Sequence, residues 1–263
     1  MELHLKSLYN LAMPTLQKIL LSLIITLFLS SCATQSGFDK YQNESVEQIF
    51  KGADTDLFKN DYKDAIERYE AIQVLYPYGA YTQQTALNLL YVYYSDRQYD
   101  ATIAAADRYI HLYPQGPYVD YAYYLKALSA YSRNIGFFER YLPVNIAPRQ
   151  ITAFQEAFTD FNELTVRFPD SFYAPDARQH MIAIRNLLAQ HDLEIADYYF
   201  ARKAYVAAAE RGNEIINKYQ NAPQVADALL IMLKSYRALD LKTEAEQTLT
   251  VLKLNYPDKK IES

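Results

Sequence analysis

The chain has 263 residues, with 26 Lys and Arg against 31 Asp and Glu, a formal net charge of −5 and a single cysteine. That length holds a sizeable core in one extended domain or two. The mild acidity, with no basic run, excludes the electrostatic footprint of a nucleic-acid binder, and one thiol leaves stability to packing rather than to disulfides. Only 6 Gly and 10 Pro interrupt a chain rich in Ala, Leu, Ile and 26 Tyr. This composition favours helices, and tyrosine can bury its ring while its hydroxyl stays wet.

At the N-terminus, Lys18 precedes the apolar, uncharged run Ile19 to Leu29, followed by Ser30-Ser31-Cys32. The run has the length of a signal h-region and is too short to cross a bilayer as a helix. Leu-Ser-Ser-Cys resembles the lipobox of bacterial lipoproteins. That implies cleavage before Cys32 and covalent attachment of a diacylglycerol and an N-acyl chain to it, with no other cofactor. Residues 1–31 are then a signal peptide, with Met13 an alternative start, and cleavage takes the formal charge to −6 by removing Lys6, Lys18 and Glu2. Ala33 stands where lipoproteins retained in an inner membrane commonly carry aspartate, so the resemblance implies delivery to the periplasmic face of an outer membrane. Residues 32–44 read as a lipidated flexible tether reaching at most about 40 Å.

From residue 45 to 257 the chain repeats. An aromatic, two residues and an alanine recur at Tyr62–Ala65, Phe154–Ala157 and Tyr205–Ala208, each alanine twelve residues before Pro77, Pro169 or Gln220. Tyr99–Thr102 and Lys242–Ala245 keep the same spacing before Pro114 and Pro257, and Tyr76, Tyr113, Phe168, Tyr219 and Tyr256 precede the five terminators. Small residues let two helices approach, aromatics fill the groove between them, and proline ends the second helix. The pattern resembles tetratricopeptide repeats and predicts an all-α fold: a right-handed superhelix of about five helix pairs, with 258–263 a C-terminal tail. The terminators lie 37, 55, 51 and 37 residues apart. The extra length before Gln220 fits the unbroken helical run Asp176 to Phe200. That before Pro169 reads as a loop between Ser132 and Arg149 carrying Phe137, Phe138, Tyr141 and Leu142, expected to pack back on the repeats.

First helices of such pairs line the concave side of the stack. The register places Gln84, Leu87, Tyr91 and Tyr94 there in the second repeat, and Tyr121, Tyr124, Leu128 and Tyr131 in the third. A groove of tyrosines suits an extended peptide with aromatic or apolar side chains. The same spacing also suits an inter-repeat core, and periodicity does not separate the two. An enzyme is not indicated. His4, His111, His180 and His191 are scattered, no carboxylate is seen to pair with a histidine, and no metal-binding, nucleophile or phosphate-loop motif is present.

Local phrases add a sharper resemblance. Tyr76-Pro77-Tyr78-Gly79-Ala80-Tyr81-Thr82-Gln83-Gln84, Asp120-Tyr121-Ala122-Tyr123-Tyr124, Gly136-Phe137-Phe138, Ala157-Phe158, Phe168-Pro169-Asp170-Ser171 with Tyr173, and Ala196-Asp197-Tyr198-Tyr199 with Arg202, Tyr205 and Arg211 occur in order. With the lipobox and the two insert lengths, they resemble the BamD (ComL) family, the repeat lipoproteins of outer-membrane β-barrel assembly, from Cys32 to about Pro257. The resemblance implies a scaffold with three kinds of partner. These are the periplasmic region of BamA, the central barrel subunit, met through the C-terminal repeats; other assembly lipoproteins; and unfolded outer-membrane proteins, received by the N-terminal repeats. Arg211 matches a family arginine associated with coupling to the barrel subunit, and Arg202 is a second candidate. One departure stands out: the family loop commonly ends in Arg-Asp, and here Arg149 is followed by Gln150, so the resemblance does not imply the family's loop salt-bridge network for this chain. A periplasmic repeat lipoprotein serving as adaptor for cell-wall enzymes or DNA uptake is the alternative reading.

Overall fold

A computed structural model describes residues 37–133 and 148–261. Cys32, the apolar run before it and the aromatic residues of the 134–147 loop lie outside the described residues. The chain divides into two compact units, 1–45 and 46–263. In the first, the described residues form a short 3-10 helix, Asp39–Tyr41, closed by the Tyr41 N–H donating to the Phe38 carbonyl at 2.9 Å. The tether expected from composition to be unpatterned therefore contains a local turn.

The second unit is all-α among its described residues. It contains α1 (Val46–Phe58), α2 (Tyr62–Leu75), α3 (Thr82–Ser95), α4 (Tyr99–Leu112), α5 (Val119–Arg133), α6 (Pro148–Arg167), α7 (Ala174–Ala201), α8 (Tyr205–Lys218), α9 (Val225–Ala238) and α10 (Lys242–Asn255). These are five antiparallel tetratricopeptide-like pairs, each helix packed chiefly on its neighbours in sequence. The first helices of neighbouring repeats also meet, α3 with α5 and α7 with α9. No described helix is long and apolar enough to cross a membrane.

The repeat register explains the packing. Ala65, Thr102, Ala157, Ala208 and Ala245, twelve residues before each terminator, are all buried. There a small side chain lets the second helix settle against the first. Five residues before the terminators, Ile72, Tyr109, Leu164, Ile215 and Leu252 are wholly buried and fill the space this approach creates. Buried Thr102 satisfies its hydroxyl by donating to the Gln98 carbonyl one turn back, at 3.1 Å.

Each turn has a physical cause. At the ends of α2, α4, α8 and α10, Tyr76, Tyr113, Tyr219 and Tyr256 leave helical geometry at φ between −118° and −136°. A following proline pushes its predecessor out of the α region. Tyr219 does the same before Gln220, with its hydroxyl donating to Asp192 at 2.8 Å. Within pairs, the turn from first to second helix is built on a left-handed residue: Asn60, Arg97, Lys203 or Asp240, at φ between 56° and 62°. The next N–H closes back on the carbonyl five residues earlier, as Gln98 to Tyr93 at 2.8 Å and Ala204 to Tyr199 at 3.0 Å. This is the Schellman arrangement. The insert before Gln220 is indeed helical: α7 runs for 28 residues where α3 and α9 have 14. The added length is close to four whole turns, so the same face stays inward.

A side chain on a left-handed residue costs about 1–2 kcal/mol, whereas glycine there costs only unfolded-state entropy of about 0.5–1 kcal/mol. Lys203→Gly is expected to stabilise the protein by about 0.5 kcal/mol and Lys203→Val to destabilise it by at least 1 kcal/mol. Chemical denaturation followed by helical circular dichroism reads both.

Candidate functional site

The tyrosines of α3 and α5 form a row that crosses repeat boundaries. Tyr91 is 45 % exposed. Tyr94 is half-buried against Tyr99, the ring centroids 5.9 Å apart. Tyr121 is next in the row; burial first, then the neighbouring phenols Tyr173, Tyr91 and Tyr94, push its pKa above the ordinary phenol value. Tyr173, in the turn before α7, stacks on Tyr124 at 4.8 Å and meets Tyr121 at 5.3 Å. Tyr124 donates to Asp176 at 2.8 Å across 52 residues of sequence. Burial, followed by that bond, pushes the Tyr124 pKa up as well. Both hydroxyls are therefore protonated donors at neutral pH.

The eight residues expected to line the groove divide. Tyr91, Tyr94, Tyr121 and Tyr124 lie along this row. Gln84 is exposed but belongs to a polar staple: it donates to Asn88 at 2.7 Å, and Asn88 donates to Tyr69 at 2.9 Å and to Asp54 at 3.3 Å, joining repeats one and two. Leu87 needs correcting. It is buried in the core with Leu90, Ala106, Tyr109, Ala122 and Leu125, because α3 turns that face toward α4 and α5. Leu128 is partly buried between two core clusters. Tyr131 is partly buried against Phe154, Phe161 and His180.

Tyr173 and Asp176 extend the row beyond the sequence expectation. Tyr173 stands four residues after its terminator, as Tyr81 and Tyr118 do after theirs, and that recurrence was the available signal. Asp176 and His180 correct the expectation that no carboxylate pairs with a histidine. They lie one turn apart on α7, His180 Nε2 3.4 Å from Asp176 Oδ2. The imidazole lies flat on Phe161 at 5.0 Å with its edge to Tyr131. It serves as a packing ring under the tyrosines. Among the described residues no group of His, Cys, Asp and Glu could hold a metal ion.

At the other end of the stack, Arg211 lies on α8 with its side chain 41 % exposed and bonded to Glu214 at 2.9 Å. Glu214 also meets Lys218 at 3.4 Å. Slight burial pushes the Glu214 carboxyl up, and Arg211 and Lys218 outweigh it, holding it below the ordinary carboxylate range. The group carries one net positive charge on an open surface. Arg202, in the α7–α8 turn, lies 4.4 Å from the ring of the exposed Tyr198. The helix carrying Arg211 is fixed by the next residue. A side chain on Gly212 would come 2.5 Å from Met232 Cγ and 3.0 Å from the Ala228 carbonyl of α9. Gly212 occupies the register where repeats one and three carry Tyr69 and Phe161, and Met232 fills the space instead.

A family model described as YfiO, outer membrane lipoprotein, matches residues 42–252. The outer membrane protein assembly factor BamD of Neisseria meningitidis serogroup B is 37 % identical over 246 residues, 92 % of each chain. The BamD proteins of Vibrio cholerae and Xylella fastidiosa are 33 % and 31 % identical, over 79 % and 91 % of this chain and 86 % and 82 % of theirs. Of solved structures, the type IV pilus biogenesis factor PilW aligns over 83 % of this chain and 96 % of its own at 13 % identity, with a TM-score of 0.33.

Mid-helix Gly→Ala substitutions ordinarily stabilise, by roughly 0.5–1 kcal/mol. Gly212→Ala is expected to do the reverse, costing about 1–3 kcal/mol through overpacking against α9. The denaturation midpoint relative to wild type checks the sign.

Proposed function

Because the chain belongs to the YfiO family of outer membrane lipoproteins, we propose that it is a non-enzymatic scaffold of outer membrane protein assembly, held at the periplasmic face of the outer membrane by acyl chains on Cys32. On this reading the tyrosine row of repeats two to four receives unfolded outer membrane proteins, and the C-terminal repeats hold the periplasmic region of a BamA-like barrel subunit.

The observation that carries the reading is the continuity of the row. Tyr91, Tyr94, Tyr121, Tyr124 and Tyr173 belong to three successive repeats yet form one surface. Stiff rings offer apolar area at low entropic cost, and the hydroxyl of exposed Tyr91 offers a donor to the carbonyls of an extended chain, whereas that of Tyr124 is spent on Asp176. That combination suits a segment still without its own strand partners. Arg211 supports the second part. Its guanidinium is half open, its helix is locked by Gly212, and a partner carboxylate could share or replace Glu214 in a bidentate pair.

Full-length tagged protein solubilised from membranes is expected to co-purify with a β-barrel protein bearing periplasmic repeats. Arg211→Glu is expected to lower that yield about tenfold or more. It should cost the fold only about 0.5 kcal/mol, the scale of like charges one helical turn apart. Recovery of cell-wall enzymes without a barrel protein would favour the adaptor reading. Unfolding of Arg211→Glu would make Arg211 structural.

A further inference from the structure

The exposed apolar side chains fall into a pattern that the tyrosine row does not use. At the first three junctions between repeats, an exposed aliphatic in the last turn of the second helix is followed by an exposed aromatic in the connecting turn. The pairs are Val74 with Tyr78, Leu112 with Tyr118, and Val166 with Phe172. Tyr78 and Phe172 stand almost fully in solvent, at 91 % and 89 %. The fourth junction carries the polar residues Asn217 and Asn221 at its exposed positions instead. Single exposed apolar residues are ordinary on a protein surface; an exposed aliphatic and an exposed aromatic at each of three successive junctions, though at slightly different offsets from the terminator, form a set.

Antiparallel pairing puts all these junctions at one edge of the stack, where second helices end and first helices begin. Val46, the first residue of α1, is at that same edge. The segment carrying Cys32 therefore joins the repeats there, and its fourteen-residue separation from Val46 spans at most about 50 Å. The opposite edge, with exposed Phe58 at the end of α1, is a further helix length away, about 20 Å for 13 or 14 residues.

We propose that this edge, through Tyr78, Tyr118, Phe172 and their aliphatic companions, inserts into the surface of the phospholipid layer that holds the acyl chains. The inference rests on the lipid-anchor reading above. Aromatic rings at headgroup depth with aliphatic side chains beside them are what a bilayer interface accepts. Turn tips that project singly suit a yielding lipid surface better than a shaped protein groove. Acidic Asp120 and Asp170 share the edge, so attraction to anionic headgroups is not the driving force, and zwitterionic lipid suffices. The contact would hold the stack in a fixed orientation, with the repeat junctions toward the lipid.

The chain has no tryptophan, so a single introduced indole reports its own depth. Full-length protein carrying Tyr78→Trp, Phe172→Trp or, as control, Phe58→Trp is mixed with phosphatidylcholine vesicles brominated high on the acyl chains. Mass spectrometry of the Cys32 peptide is read in parallel, and circular dichroism verifies the helices. Tyr78→Trp and Phe172→Trp emission is expected to fall about twofold in high salt, with Phe58→Trp unchanged. Equal quenching at all three positions, or none at Tyr78→Trp and Phe172→Trp with Cys32 acylated, overturns the oriented edge and leaves the anchor standing. An unmodified Cys32 with no quenching overturns both.

Discussion

Every other feature of the repeat unit depends on how closely the two helices of a pair approach. That distance is set where Ala65, Thr102, Ala157, Ala208 and Ala245 stand, all buried and all small. A larger side chain there would lift one helix off the other and strand the ring or aliphatic residue five positions before the terminator without a cavity to fill. The single cysteine leaves no internal disulfide to compensate, so dispersion and apolar burial have to hold the stack. The fourth repeat carries the rule further. Gly212 removes the side chain altogether where repeats one and three place an aromatic, and Met232 of the next repeat enters the space.

Close packing also creates the candidate surfaces. When first helices of successive repeats meet, tyrosines that would be isolated on one helix come into register with those of the next. The link from Tyr124 to Asp176 and Tyr173 crosses a repeat boundary and about fifty residues of chain. The row is thus a product of the stack and not of any one repeat. Arg211 follows the same logic: its place on the outside of α8 is fixed because Gly212, beside it, is pressed against α9. The two surfaces lie in different repeats, so in the proposed function a partner at the C-terminal end and a chain along the centre would not compete for the same side chains.

The fold was legible because its determinants are local and periodic. Twelve-residue spacings, terminators and aromatics before them placed five pairs, and Gln220 could be read as a terminator because Tyr219 kept the register without a proline. The candidate surface was only partly legible. Tyr91 and Tyr121 could be placed on the first-helix face, but Leu87, one turn earlier on the same face as Tyr91, is covered by Ala106, Tyr109, Ala122 and Leu125 of the neighbouring helices, a tertiary contact that periodicity does not carry. Tyr173 lies outside any helix, so helical periodicity could not reach it; its recurrence with Tyr81 and Tyr118 could. The contact of Asp176 with Tyr124 has no local signature, whereas the spacings of Asp176 to His180 and Arg211 to Glu214 are one helical turn and were open to reading.

The central claim is that the tyrosine row meets unfolded outer membrane protein. A photo-crosslinking amino acid placed at Tyr91, and separately at exposed Thr159 on α6 as control, in full-length protein mixed with a urea-unfolded outer membrane β-barrel, tests it most directly. The account predicts adducts from position 91, mapping to barrel strand segments, and none from position 159. Absence of adducts at 91, or equal yields at both positions, would contradict it.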